Sequence, residues 1–129
     1  MSFTLSQQSG VPFYRQVAHH IADQIRTGTL APGAPLPSVR QLAADLLVSV
    51  ITVTKAYEEL EHQGLVTGQQ GRGTFVAPGA RGASKAELKR EVGDALAAAF
   101  ARAHAVGLSR EEVQSLANAA FTAHFPEPE

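Results

Sequence analysis

The chain has 129 residues, no cysteine and a formal charge of −1. That length suits one domain, or one domain with an arm, and the missing cysteines exclude disulfides and thiolate metal sites. No apolar run reaches the length of a membrane span, and the start MSFTLSQQSG lacks the basic-then-apolar pattern of a secretory signal. A cytoplasmic protein with no membrane partner is therefore expected. The near-neutral charge counts against a nucleic-acid partner, since duplex binders are usually basic, although local distribution matters more than the sum.

Taken in order, residues 1–11 are polar and read as extended or frayed. Pro12 suits a helix start. Tyr14, Val17, Ala18, Ile21 and Ile25 then mark one helical face that Gly28 ends. Leu30 to Pro37 is a loop stiffened by Pro32, Pro35 and Pro37, each of which fixes its own φ. Ser38 and Gln41 make a capping-box pattern before the apolar face Val39, Leu42, Ala43, Leu46. Ser49 caps a second helix with Val53, Ala56, Tyr57 and Leu60 at helical spacing, and Gly64 suits its left-handed end. Leu65–Thr67 and Thr74–Val76 read as short strands joined by a turn over Gly68–Gly73. Pro78 to Ala83 reads as a flexible linker, so the expected domains are 1–77 and 84–129. Beyond it, Ser84 with Glu87 and Ser109 with Glu112 start two further helices. The first carries Leu88, Val92, Leu96, Ala99, Phe100 and Ala103 and stops at Gly107. The second carries Val113, Leu116, Ala117, Ala120 and Phe121.

The expected fold is mainly α with a small β wing: an N-terminal winged helix-turn-helix followed by a C-terminal helical hairpin. Two short helices joined by a few residues present the second to a DNA groove. Several linked motifs carry a family resemblance. They are Pro12-Phe13-Tyr14-Arg15-Gln16, Gly28-Thr29-Leu30-Ala31-Pro32-Gly33, Leu36-Pro37-Ser38-Val39-Arg40-Gln41-Leu42-Ala43, Glu58-Glu59-Leu60-Glu61-His62-Gln63-Gly64-Leu65-Val66 and Gly71-Arg72-Gly73-Thr74-Phe75-Val76. In this order they resemble the winged helix-turn-helix of GntR-type bacterial transcription regulators, over roughly the first two thirds of the chain. The short remainder resembles the YtrA-type branch, whose tail has two helices.

Candidate DNA-binding residues are Ser38, Arg40, Ser49, Thr52, Thr54, Lys55, Arg72 and Gly73. Arg40, two residues after a cap, suits a phosphate or a guanine edge; the resemblance implies DNA contact, and an ion pair with Asp45 is the alternative. Unpaired N–H groups at the second helix's start suit a phosphate. Thr52 is the foremost phosphate candidate there, while Ser49 is either a contact or only a cap. Thr54 and Lys55 face outward, and Lys55 is alternatively just solvated. The resemblance implies that the Gly71-Arg72-Gly73 tip enters a minor groove, where arginine suits a narrow, electronegative site; an ordinary glycine turn is the alternative. Val50 and Ile51 depart from the arginine, proline or asparagine that many members of the family it resembles carry in this segment. Either they pack on thymine methyl groups or one is buried against the preceding helix. Few cations are available for phosphates, so weak non-specific binding is expected.

Leu88, Val92, Leu96, Phe100, Val113, Leu116 and Phe121 form tail stripes too small to make a core alone. They either fold back on the first domain or pair with a second copy, and the resemblance implies pairing. Five histidines, His19, His20, His62, His104 and His124, show no metal-binding spacing. No nucleophile–base cluster or paired-carboxylate pattern indicates an enzyme, and no cofactor is expected. The expected function is a homodimeric, sequence-specific DNA-binding regulator, a repressor by resemblance, reading an inverted-repeat operator. A protein-interaction module and a small-ligand sensor are the alternatives. A small-molecule effector is compatible with the first, but no residue pattern points to one.

Overall fold

The computed structural model describes residues 1–128. Its elements are α1 (Phe13–Arg26), α2 (Val39–Leu46), α3 (Val50–His62), β1 (Val66–Gln69), β2 (Gly73–Val76), α4 (Lys85–Ala105) and α5 (Arg110–His124). Over the described residues the chain is thus mainly helical, with one two-stranded antiparallel sheet. It divides into two compact units, Met1–Ala83 and Ser84–Glu129.

In the first unit, α3 packs on α1, α2 and β1. The faces that meet are those with helical periodicity: Val17, Ile21 and Ile25 from α1, Leu42 from α2, and Val53 and Leu60 from α3 are fully buried. Val66 and Val76 close the core from the sheet. Each such side chain contributes about 1.5–3 kcal/mol relative to exposure.

Helix ends follow local chemistry. Ser38, Ser49, Ser84 and Ser109 each accept a backbone N–H three residues on. The reciprocal box is complete at Ser109–Glu112, where the Ser109 N–H reaches Glu112 Oε1 at 2.9 Å. At Ser38 it is only half made, because the Gln41 amide donates to Asp45 Oδ1 instead (2.8 Å). At the end of α3, Leu65 N–H donates to Leu60 O and Gly64 N–H to Glu61 O, with Gly64 at φ +78°. That is a Schellman cap. The same pair of bonds ends α2, Val48 N–H to Ala43 O and Leu47 N–H to Ala44 O, but the left-handed residue is Leu47 (φ 58°, ψ 44°).

Three segments differ from the sequence reading. Residues 1–11 are not frayed: Met1, Phe3 and Leu5 pack against the core, and Phe3 stacks on His20 at 4.4 Å between centroids. Gln16 fastens the bend behind them, accepting from Ser6 N–H and donating to Ser6 O, Ser9 Oγ and Val11 O. The proline loop does more than stiffen. Gly33 N–H donates to Val76 O, Val76 N–H to Ala34 O and Leu36 N–H to Thr74 O, so the loop runs along β2 as an extra edge, with Pro35 opposite Phe75. Finally, the stretch read as a linker is packed. Ala80 is buried, Ala83 N–H donates to Arg26 O at 2.8 Å, and a Cβ on Gly82 would lie 2.9 Å from that same carbonyl oxygen. Only glycine lets the chain pass this close to the end of α1.

In the second unit, α4 and α5 are helices of 21 and 15 residues with no buried residue in either. Among the described residues, no helix is long and apolar enough to cross a membrane.

Candidate nucleic-acid interface

The candidate residues of the first unit lie on three exposed pieces: the start of α2, the start of α3 and the sheet tip. Arg40 is the second residue of α2 and is exposed. Asp45, its alternative partner, instead accepts from the Gln41 amide. Among the described residues, Arg40 makes no ion pair or side-chain hydrogen bond. Ser38 Oγ accepts from Gln41 N–H at 3.1 Å and still has its own proton to donate.

At the start of α3, Ser49 Oγ accepts from Thr52 N–H at 3.1 Å and lies 2.9 Å from Thr52 Oγ1. Ser49 is therefore a cap, and its hydroxyl is coupled to that of Thr52. When Ser49 donates within this pair, the Thr52 proton is left to point outward toward an acceptor. The Val50 and Ile51 N–H groups have no intrahelical partner, and they sit where the helix dipole is positive. Both side chains are exposed, Val50 at 46% and Ile51 at 72%. This removes the reading in which one is buried against the preceding helix. Thr54 is half-buried. Lys55 is not simply solvated: its Nζ lies 4.5 Å from the centroid of the Tyr14 ring on α1, and the Arg15 guanidinium lies 5.9 Å from the same ring. A cation over an aromatic face is an attraction of about 0.5–1 kcal/mol at exposed sites. Glu58 and Glu61 lie in the last half of α3, away from this start.

The strands pair in antiparallel register, Val66 with Val76 through Gln69 with Gly73. Arg72 N–H donates to Gln69 O at 2.9 Å, closing a turn whose third residue is Gly71 at φ +78°. Such a turn requires positive φ there. Arg72 and Gly73 are exposed at the tip, with Gly73 at φ +112°.

In the tail, Val92, Leu96, Phe100, Leu116 and Phe121 are exposed, and Leu88 and Val113 are half-buried. Between them α4 and α5 leave an open groove of about 620 Å³ lined by Leu96, Phe100, Leu116, Phe121 and neighbouring apolar groups. Among the described residues, no group of three or more His, Asp and Glu is gathered to hold a metal ion.

Two helices joined by a short turn, a supporting first helix and a β hairpin behind the second define a winged helix-turn-helix. Residues 13–76 match the family of bacterial regulatory proteins called gntR. The chain is 36% identical to the HTH-type transcriptional repressor YtrA of Bacillus subtilis over 77 residues; that stretch covers 60% of this chain and spans 59% of YtrA's length. A solved structure of YtrA from Sulfolobus acidocaldarius, a GntR-family transcription factor, is 34% identical with a TM-score of 0.57, covering 75% of this chain and 99% of that one. The DNA-binding domain of AraR, solved in complex with operator ORX1, is 35% identical with a TM-score of 0.56, covering 59% of this chain and 96% of that one. The chain belongs to the GntR family of transcription regulators, and within it to the YtrA type.

Proposed function

We propose that this chain is a homodimeric repressor that binds an inverted-repeat DNA operator, with α3 in the major groove and the wing tip in the adjacent minor groove. The observation that carries the reading is the start of α3. It offers free backbone N–H groups, a hydroxyl pair at Ser49 and Thr52 and an exposed Arg40 nearby in sequence on α2, with no acidic residue in its first turn. Such a terminus holds a phosphate by hydrogen bonds and by the helix dipole. Ser38, Arg40, Thr52 and Lys55 then fix the protein on the backbone, with Ser49 serving as the cap that orients the Thr52 hydroxyl. Thr54 faces the bases, and Arg72 with Gly73 takes the minor groove. The operator complex of AraR supports DNA as the partner, and the repressor name of YtrA supports repression.

Pairing through the tail is supported by stripes that have no buried residue within it. Paired subunits place two recognition helices about one or more helical turns apart, ~34–36 Å or a multiple, so the half-sites form an inverted repeat. Selection of bound duplexes from a random pool, with the affinity of the winner followed against salt, tests the reading. An enriched inverted repeat is expected. Absence of any enriched duplex at low salt overturns DNA binding and leaves the protein-interaction alternative.

A further inference from the structure

Valine and isoleucine at the first two positions of α3 cannot donate or accept a hydrogen bond, yet both are exposed. The first residues of a recognition helix are those that meet base edges. On the major-groove floor the base pairs differ by donors, acceptors and one apolar group, the C5-methyl of thymine. A β-branched side chain is stiff about χ1, so burying it against a methyl group costs little rotamer freedom. In the proposed complex the free N–H groups and the Thr52 hydroxyl, coupled to Ser49, would take a phosphate, and the two exposed apolar side chains beside them would be left for the base edges. Resting on the proposed operator-binding function, we infer that Val50 and Ile51 are specificity-determining residues that read thymine methyl groups in each half-site.

The methyl group itself is then the recognised feature. Burying one methyl or methylene corresponds to about fourfold in affinity. Deoxyuridine keeps every hydrogen-bonding group of thymine and lacks only that methyl. The full-length protein is first used to select its duplex. Each half-site thymine is then replaced singly by deoxyuridine, and affinity is measured for the natural chain and for Val50→Ala and Ile51→Ala. Both side chains lie outside the core, and alanine suits a helix, so these variants keep the fold.

At one or more thymines, the expected loss for the natural chain is about fourfold. That loss shrinks toward none in Val50→Ala or Ile51→Ala, while the salt slope stays the same because no phosphate contact changes. Deoxyuridine tolerated at every thymine, a half-site without thymine, or an equal deoxyuridine penalty in natural and alanine proteins each overturns the inference while leaving the regulator reading intact. Failure to select any duplex instead overturns the regulator reading, and this inference with it.

Discussion

The Tyr57 hydroxyl donates to the Pro37 carbonyl at 2.7 Å, tying the middle of α3 to the residue that precedes the cap of α2. The two helices of the helix-turn-helix are thereby fixed at a second point besides their short turn. Tyr57→Phe keeps the ring in the core but leaves a half-buried carbonyl without its donor. A loss of about 1–2 kcal/mol in unfolding free energy is expected. The bond also has a pH signature. Burial raises the Tyr57 hydroxyl well above its ordinary value of 10.0. The folded state therefore holds this proton more tightly than the unfolded chain does. Its stabilisation is complete below about pH 10 and declines as the pH rises past it. Denaturant titrations across the alkaline range are expected to fall more steeply for the natural chain than for Tyr57→Phe; parallel curves would contradict this.

Leu47 lies at φ 58° with 91% of its surface exposed, in the cap position where glycine serves at the end of α3. A left-handed conformation costs a non-glycine residue about 1–2 kcal/mol, and nothing packed is lost on removing this side chain. Glycine has a more flexible unfolded chain, which offsets about 0.5–1 kcal/mol of the gain. Leu47→Gly is expected to raise stability by up to about 1 kcal/mol and the melting temperature by a few degrees. A lower melting temperature would show that the left-handed backbone at Leu47 carries no strain that glycine relieves.

The helices were legible because their signals are local. Val17, Ala18, Ile21 and Ile25, and Val53, Ala56, Tyr57 and Leu60, repeat at helical spacing and are all buried. Serine caps declare themselves within three residues. What the sequence hid depends on partners far along the chain. The arm is held through Gln16 and by the Phe3–His20 stack, though the period-two spacing of Met1, Phe3 and Leu5 was a usable sign. Pairing of the proline loop with β2 requires knowing where the hairpin lies. The Gly82–Arg26 approach makes a glycine-rich stretch read as a hinge when it is packed. In the candidate interface, the positions of Arg40 and Arg72 follow from cap and turn, whereas the Tyr14 ring beside Lys55 requires the packing of α1 on α3.

That ring supplies a test of Lys55. Docked on Tyr14, the ammonium is held near the recognition helix with donors left over for a phosphate. Lys55→Met is expected to make the slope of log K against log salt shallower by about 0.9 per subunit, as one phosphate contact is lost. Tyr14→Phe keeps the aromatic face and is expected to bind as the natural chain does. Tyr14→Leu loses affinity a few-fold with the slope unchanged, because the charge remains but is less ordered. Equal slopes for Lys55→Met and the natural chain would place Lys55 off the DNA.

Arg40 and Arg72 are exposed and, among the described residues, lack an ion pair, so alanine at either position leaves the fold intact. Arg40→Ala is expected to weaken all duplexes alike and reduce the salt slope by about one. Arg72→Ala is expected to act selectively. A guanidinium favours the narrow minor groove of A·T tracts, so the variant loses most of any preference for such sequences beside the half-site. Binding that is unchanged in both variants would remove the contact scheme.

The tail presents a different kind of test, because its helices are capped and regular yet bury none of their residues. The α5 cap adds order through Glu112, whose carboxyl is held below its usual range by the Ser109 backbone N–H and then the Ser109 hydroxyl. Local capping does not supply the missing burial, and a hairpin of this size has too little core to stand alone. Two copies apposed along Leu96, Phe100, Leu116 and Phe121 would remove those side chains from water together. Leu96→Asp or Phe100→Asp puts a charge into that seam and is expected to convert a dimer to a monomer in sedimentation equilibrium, with the first unit still folded. Monomeric variants should then lose operator affinity by far more than a single contact explains, since each half-site is held alone. A natural chain that sediments as a monomer, or an aspartate variant that remains a monodisperse dimer, would rule out pairing through these stripes.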